Sequence, residues 1–214
     1  EIRRRMELEK KFWKKLAMLK IAEKLFSREY HRVKDALGGV AHGLTDQYEL
    51  QRIGHPYYNS RAGGGEGHLE VAKNIYYSNK ELCHMVLSLK PFGCMPSTQS
   101  DGAQSAVVAH YKDMIFLPVE TSGEGEINAH SRVQMALGEA KAKAKREFAE
   151  ALAATGFTLE QIQDYVAKHD ALQRPMYRVP KRKGVIGTGA NFILHVADLM
   201  QGRETLTPNG RATH

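Results

Sequence analysis

The chain has little of what defines several large classes of protein. Its 214 residues include two cysteines, Cys83 and Cys94, which excludes a disulfide scaffold and is typical of a reducing cytoplasm. No apolar run approaches the roughly 20 residues that a membrane-spanning helix needs, and no signal peptide is recognisable. The sequence therefore predicts a soluble, cytoplasmic protein with no membrane partner.

Acidic residues are outnumbered by basic ones. Asp and Glu total 24 and Lys and Arg total 31, for a formal net charge of +7, and the excess lies mainly in Arg3–Lys20, Lys141–Arg146 and Arg174–Lys183. Such runs are either solvated helix faces or surfaces that attract polyanions. Because no helix-turn-helix, zinc-finger or aromatic RNA-binding motif accompanies the charge, we expect no nucleic-acid partner.

Hydrophobic spacing along the chain predicts an α/β fold. Arg4–Ala36 has apolar residues at helical spacing, which indicates a long amphipathic helix. Val40–Gly67 lacks periodicity and is interpreted as a long loop. Helices and strands then alternate, which favours a small, mainly parallel sheet flanked by long helices. The predicted elements are a helix at His68–Tyr77, a strand at His84–Leu89, a helix at Asp101–Tyr111 and a strand at Met114–Val119.

The remainder of the chain is predicted to be helical, apart from an aperiodic tail. Apolar residues recur at three- and four-residue steps in Asn128–Ala154, a shorter helix begins at Thr158, and Phe192–Met200 has helical spacing. Gly187-Thr188-Gly189 precedes the last helix and is interpreted as a turn rather than as a nucleotide-binding loop. We divide the chain into residues 1–62 (first helix and long loop), 63–156 (α/β domain) and 157–214 (C-terminal helices and tail).

The first predicted helix has a wider apolar stripe than one neighbouring element would cover. We expect it to dock through Phe12, Trp13, Leu16 and Leu19, since large apolar side chains left in water favour association. The partner would be a second copy or the remainder of a parent polypeptide. The chain opens on Glu1 without an initiator methionine, and we expect it to be a fragment or a processed chain.

The most informative stretch is Lys90–Gly102, where Cys94 lies among prolines and glycines directly after the apolar run Met85–Leu89. This pattern predicts a thiol on a stiff turn at the end of a strand, and ligands bind beyond the carboxyl ends of strands in open α/β sheets. The thiol would act as a metal ligand or a nucleophile, or simply fill the core. The candidate bases for a nucleophile are His55, His84, His110 and His130.

Three sequence blocks together resemble one protein family. Pro91-Phe92-Gly93-Cys94-Met95-Pro96 is similar to the Pro-Phe-x-Cys-Met/Leu-Pro signature of the 2-hydroxyacyl-CoA dehydratase and benzoyl-CoA reductase superfamily, especially its activase-associated dehydratase-like proteins. Gly64–Leu69 resembles the Gly-Glu-x-x-Leu block upstream of that signature. Glu126–Arg132 resembles a downstream helix start, Glu-x-Asn-x-x-x-Arg. The match extends over about Gly63–Phe148.

The resemblance implies an iron-sulfur protein that receives electrons from an ATP-hydrolysing activase for radical dehydration or reduction of an acyl-CoA. It implies that Cys94 is a ligand of the cluster, expected to be [4Fe-4S]. Because the two cysteines of this chain fall short of four ligands, the others would be supplied from outside it, or this chain binds no cluster. Glu66, Asn128 and Arg132 would contact the substrate or support the ligands. Two alternatives stay open: a non-catalytic scaffold or electron-transfer partner of the same assembly, and a cysteine hydrolase that uses Cys94.

Overall fold

A computed structural model of the protein describes residues 13–38, 43–63, 65–121, 126–175 and 177–206. Helices flank one two-stranded parallel sheet in this part of the chain, which confirms the predicted α/β fold. The elements are α1 Trp13–Ala36, α2 Gln47–Gly54, α3 Gly67–Asn79, β1 Val86–Pro91, α4 Met95–His110, β2 Phe116–Thr121, α5 Glu126–Thr155, α6 Leu159–Ala167, a short 3₁₀ helix Asp170–Gln173 and α7 Thr188–Met200.

The two strands and the helix between them form a β-α-β unit. β1 pairs with β2 in parallel, from Val86 opposite Phe116 to Pro91 opposite Thr121, so both strands end at the same edge of the sheet. Each strand begins and ends two residues later than the hydrophobic pattern predicts. Met114 is part of the buried core before β2 instead of its first residue, because the strand begins only where pairing with β1 begins.

Strand β1 has its polar side chains inside and its leucines outside, whereas on β2 the apolar Val119 is buried and Glu120 is exposed. On β1, Lys90 is 2% exposed and Ser88 is half-buried, and both bond to groups on α3 and α4. Leu87 and Leu89 alternate with them and are exposed, as the two-residue period of a strand requires.

The segment Val40–Gly67 contains a helix that the sequence analysis missed. The Asp46 side chain accepts the Tyr48 N–H at 2.9 Å and caps the start of α2. Leu50 of α2 is fully buried, and Gly54 packs so closely on α3 that a Cβ there would lie 2.8 Å from the Ala72 Cβ. Eight residues are too few to establish a helical period in sequence, so the interpretation of the whole segment as a loop was wrong.

Helix α4 begins six residues earlier than predicted, at Met95 rather than at Asp101. Pro96 lies in its first turn, where a missing backbone N–H costs nothing because the first amides of a helix have no partner within the helix. Cys94 is the capping residue, with extended backbone dihedral angles of φ −71° and ψ 109°. The thiol therefore lies where the turn after β1 meets the amino end of α4.

The helices after β2 share one hydrophobic core. Ala151 of α5, Ile162 of α6 and Ile193 and Val196 of α7 are buried in it. A capping box at Thr158 begins α6, as predicted, and Gly156, with φ +74°, follows the end of α5. The boundary placed at residue 156 therefore separates helices that pack together, and the three proposed domains stay a prediction.

Helix α1 contributes no buried side chain. Trp13 is 82% exposed and Phe26 76%. Just beyond the helix, the Gly38 carbonyl accepts a hydrogen bond from Arg178 Nε at 2.5 Å. Phe12 and the rest of the predicted helix before Trp13 lie outside the described residues, so the predicted docking partner stays a prediction.

No helix in the described ranges has both the length and the apolar character needed to cross a membrane.

Candidate functional site

Cys94 is held in a tight turn between β1 and α4. Its N–H donates to the Pro91 carbonyl at 3.2 Å, and its own carbonyl accepts both the N–H and the hydroxyl of Thr98, each at 3.0 Å. Gly93 has φ +73°, a left-handed conformation that a side chain would strain. The backbone is thereby fixed on both sides of the half-buried thiol.

The surroundings of Cys94 favour the thiolate. The Ser97 hydroxyl donates to Cys94 Sγ at 3.4 Å, and this bond, followed by one from the Ser97 backbone N–H, lowers the pKa of the thiol. Lys90 lowers the pKa further, whereas partial burial and the Glu70 carboxylate raise it, and the net direction is down. A thiolate at a helix amino end is the form of cysteine that binds metals and attacks electrophiles.

The amine of Lys90 is buried beneath this turn between two carboxylates. Lys90 Nζ donates to Asp101 Oδ1 on α4 and lies 3.4 Å from Glu70 Oε1 on α3. It also donates to the Ser97 carbonyl at 3.5 Å. A lone buried cation is very costly, and paired hydrogen-bonded carboxylates offset that cost. This cluster links β1, α3 and α4, and the Lys90 bond to the Ser97 carbonyl connects it to the residue whose hydroxyl contacts Cys94.

Glu70 has further hydrogen-bond partners. The hydroxyl groups of Ser88 and Ser100 donate to its two oxygens at 2.5 and 2.6 Å. Gln104 Nε2 donates to the Glu70 carbonyl at 3.5 Å, and Gln104 Oε1 accepts from Asn74 Nδ2 at 2.7 Å. These bonds form one continuous polar network from Gln104 in the middle of α4 to the turn before Cys94.

The glycine-rich segment before α3 packs against the first turn of α4. A Cβ at Gly65, where φ is +134°, would lie 2.4 Å from Pro96 Cγ, and a Cβ at Gly67 would lie 3.0 Å from the Pro96 carbonyl oxygen. Tyr58 OH donates to Gln99 Oε1 at 2.9 Å. Two of the three sequence blocks are therefore in contact, and glycine is needed for that contact because any side chain would collide with Pro96.

The three residues predicted to support the site, Glu66, Asn128 and Arg132, are all exposed but differ in their contacts. Glu66 is exposed at the capping position of α3 and makes no side-chain cap bond. Asn128 is exposed in the first turn of α5, which follows the carboxyl end of β2. Arg132 is exposed, and its guanidinium donates to the Pro118 carbonyl at 3.0 Å. Parallel pairing puts the loops after β1 and β2 at one edge, as predicted, and proximity of Asn128 to Cys94 stays a prediction.

Sequence reasoning missed Glu70, Lys90 and Asp101. A pattern that indicates Lys90 was present: Ser88 and Lys90 alternate with Leu87 and Leu89, which would place one polar pair on one face of a strand. No pattern marks the carboxylates, because they come from two different helices.

The other cysteine lies at the opposite end of β1. Cys83 precedes the strand, and burial raises the pKa of its thiol despite a bond from the Met85 N–H, which lowers it. Six strand residues separate the two ends by about 20 Å, so both thiols cannot bind one small cluster. No group of three or more His, Cys, Asp and Glu side chains arranged to hold a metal occurs among the residues that the structure describes.

The four histidines considered as bases contact other groups. His84 Nε2 bonds Glu147 at 3.0 Å, His55 Nδ1 lies 3.0 Å from Ser60 Oγ, and His130 is paired with Gln134. His110 packs against the rings of Tyr57 and Tyr111.

A carboxylate of the chain itself occupies part of the glycine segment before α7. Glu147 accepts the N–H groups of Ile186 and Gly187 at 2.6 and 2.8 Å. Burial alone would raise the pKa of this carboxyl, but these bonds and the one from His84 bring it below its ordinary value. The interpretation of this segment as a structural joint agrees with that geometry.

In comparisons with known proteins, the chain matches no family model, no curated protein and no solved structure.

Proposed function

We propose that this chain is a subunit or part of a 2-hydroxyacyl-CoA dehydratase-like iron-sulfur protein and that Cys94 is a cluster ligand. The observation that carries the proposal is the placement of Cys94, which occupies the N-cap position of a helix directly beyond the carboxyl end of a parallel strand. That edge is where ligands bind in α/β sheets, and the thiol has a lowered pKa.

The donor chemistry at this position fits an iron-sulfur cluster in one respect and is incomplete in another. A thiolate is the ligand that such clusters use, and hydrogen bonds to a ligand sulfur are one of the means by which proteins tune a cluster. The Ser97 hydroxyl makes such a bond. One thiolate falls short of the four that a cluster takes, so the remaining ligands would come from a second subunit or the rest of a parent polypeptide.

The chain's own residues would orient the ligand and limit its motion. The hydrogen bond that Cys94 donates to the Pro91 carbonyl and those it accepts from Thr98 hold the backbone, and Lys90 places a positive charge near the thiolate. A cluster bound here would accept single low-potential electrons, in this proposal from an ATP-hydrolysing activase, and pass them to an acyl-CoA. Glu66, Asn128 and Arg132 stay weaker candidates for substrate contacts.

A second candidate is a non-catalytic scaffold or electron-transfer partner in the same kind of assembly. The exposure of α1 favours it, because Trp13, Ile21 and Phe26 are left uncovered by the described part of the chain and large exposed apolar surfaces mark interaction sites. We do not propose the cysteine hydrolase, since the contacts of the four candidate bases are with residues other than Cys94.

The colour and the iron and sulfide content of the intact protein, purified without oxygen, test the proposal. A brown protein containing iron and sulfide supports it. A colourless, iron-free protein that retains its native fold contradicts it. In that case, rapid alkylation of Cys94 with loss of an enzymatic activity would favour the hydrolase, and a protein unaffected by alkylation would favour the scaffold.

A further inference from the structure

An open surface cavity that Cys94 does not line lies between α2 and the turn that follows it. Its volume is about 650 Å³, within the range of about 300–1,000 Å³ that is usual for small-molecule sites. Its lining includes Tyr48, Arg52, His55, Asn59 and Arg61. We propose that this cavity binds a phosphorylated small molecule through the two guanidinium groups and the His55 ring. None of these residues belongs to the Cys94 site, so the proposal does not depend on the function proposed above.

The charge of the cavity is the first reason. Arg52 and Arg61 both line it, and no Asp or Glu does. Among the described residues neither guanidinium has an ion pair, and the nearby acid Glu49 is bound to Lys80 at 2.8 Å. Two cations that face one cavity repel each other, and an anion bound between them removes that repulsion. The planar guanidinium matches a phosphate group through two parallel hydrogen bonds.

The His55 ring is the second reason, because the structure fixes which of its nitrogens donates. Ser60 is 1% exposed, and its N–H donates to His55 Nδ1 at 3.3 Å. Ser60 Oγ lies 3.0 Å from the same nitrogen and accepts a hydrogen bond from Gln51 Nε2 at 3.2 Å. Since Nδ1 accepts, the neutral ring carries its proton on Nε2. The exposed ring therefore presents an N–H donor at the wall of the cavity.

Asn59 has a similarly assigned orientation. Its Oδ1 accepts the Arg61 N–H at 2.9 Å, so its amide NH₂ group is the end left to donate to a ligand. The cavity lining thus includes two guanidinium groups, one imidazole N–H and one amide NH₂ as donors, beside the polar side chains of Tyr48, Gln51 and Ser60. A site of donors and positive charge selects an anion with several acceptor oxygens, and a phosphate group satisfies that requirement better than a single carboxylate does.

Calorimetric titration of the full chain with pyrophosphate, ADP and adenosine tests the proposal. Pyrophosphate and ADP should bind and adenosine should not, and affinity should fall as salt is raised from 50 to about 300 mM because exposed charges are screened. Arg52→Gln and Arg61→Gln should each weaken binding about tenfold or more, as expected for the loss of a charge-assisted hydrogen bond. Arg146→Gln removes the same charge from an exposed site on α5 and should leave binding unchanged.

The result that would overturn the proposal is equal binding by Arg52→Gln, Arg61→Gln and Arg146→Gln proteins, which would mean that the overall basic charge alone attracts the anion. Failure of pyrophosphate and ADP to bind at millimolar concentration, or binding of adenosine as tight as that of ADP, would also overturn it. The two cavity arginines are exposed, so the variants should keep the wild-type melting temperature, and far-UV circular dichroism checks this.

Discussion

Replacing Lys90 by methionine tests the buried ion cluster. The change keeps most of the side-chain volume but removes the cation between Asp101 and Glu70. Removing one member of a buried ion pair costs about 3–5 kcal/mol. Water reaches the carboxylates in part, because the Asp101 side chain is 33% exposed and that of Glu70 is 23% exposed. We therefore expect Lys90→Met to lower the unfolding free energy by about 3 kcal/mol, the lower end of that range.

The size of the effect makes it measurable in a thermal or chemical melt. For a chain of this length, 1 kcal/mol corresponds to about 2–4 °C in melting temperature, so Lys90→Met should lower it by about 6–12 °C. Urea unfolding followed by circular dichroism gives the free energy directly, provided that the transition has a single step.

A triple variant separates the charge effect from lost packing. Lys90→Met combined with Glu70→Gln and Asp101→Asn leaves no uncompensated carboxylate, and it should recover most of the stability that the single change loses. A single variant within about 1 kcal/mol of the wild type, or a triple variant no more stable than the single one, would refute the argument that charge pairing keeps Lys90 buried.

Three further changes test the turn and the joint before α7. Ser97→Ala removes a hydrogen bond to Cys94 Sγ and should raise the pKa of that thiol, seen as a higher pH midpoint for iodoacetamide alkylation of iron-free protein; an unchanged midpoint would contradict the assigned cause. Gly65→Ala should destabilise the fold by about 1–3 kcal/mol through backbone strain and collision, whereas Gly63→Ala, with nothing within 4 Å of the added Cβ, should not. The folded-state pKa of Glu147 is lowered, so its contribution to stability is complete above the ordinary carboxyl pKa and is lost as pH falls through the folded value. Glu147→Gln should therefore be less stable than the wild type at neutral pH and should lose less stability on acidification. Stability curves of the two proteins that fall in parallel with pH would disprove this.

The turn at Cys94 was predictable because its chemistry is local. Prolines and glycines after an apolar run define a turn at a strand end whatever the rest of the chain does. The parallel pairing followed from the alternation of helix and strand, and the Thr158 cap from a side chain that bonds three residues ahead.

The parts that could not be predicted depend on contacts between distant segments. Helix α2 has eight residues and is stabilised by packing Leu50 and Gly54 on α3, which no local pattern shows. The pairing of Lys90 with Glu70 joins residues from a strand and a helix twenty positions earlier. The start of α4 was placed too late because the prolines and glycines around Cys94 were interpreted as one turn, whereas Pro96 lies in the first turn of the helix, where proline is favourable.

The most direct test of the central proposal is the iron content of cysteine variants in the intact assembly, purified without oxygen. Serine keeps the size of the side chain but is a poor ligand for a soft metal site. Cys94→Ser should lose iron, whereas Cys83→Ser, about 20 Å away at the other end of β1, should retain the wild-type amount. Equal iron in both variants, whether retained or lost, would contradict the assignment of Cys94 as the ligand.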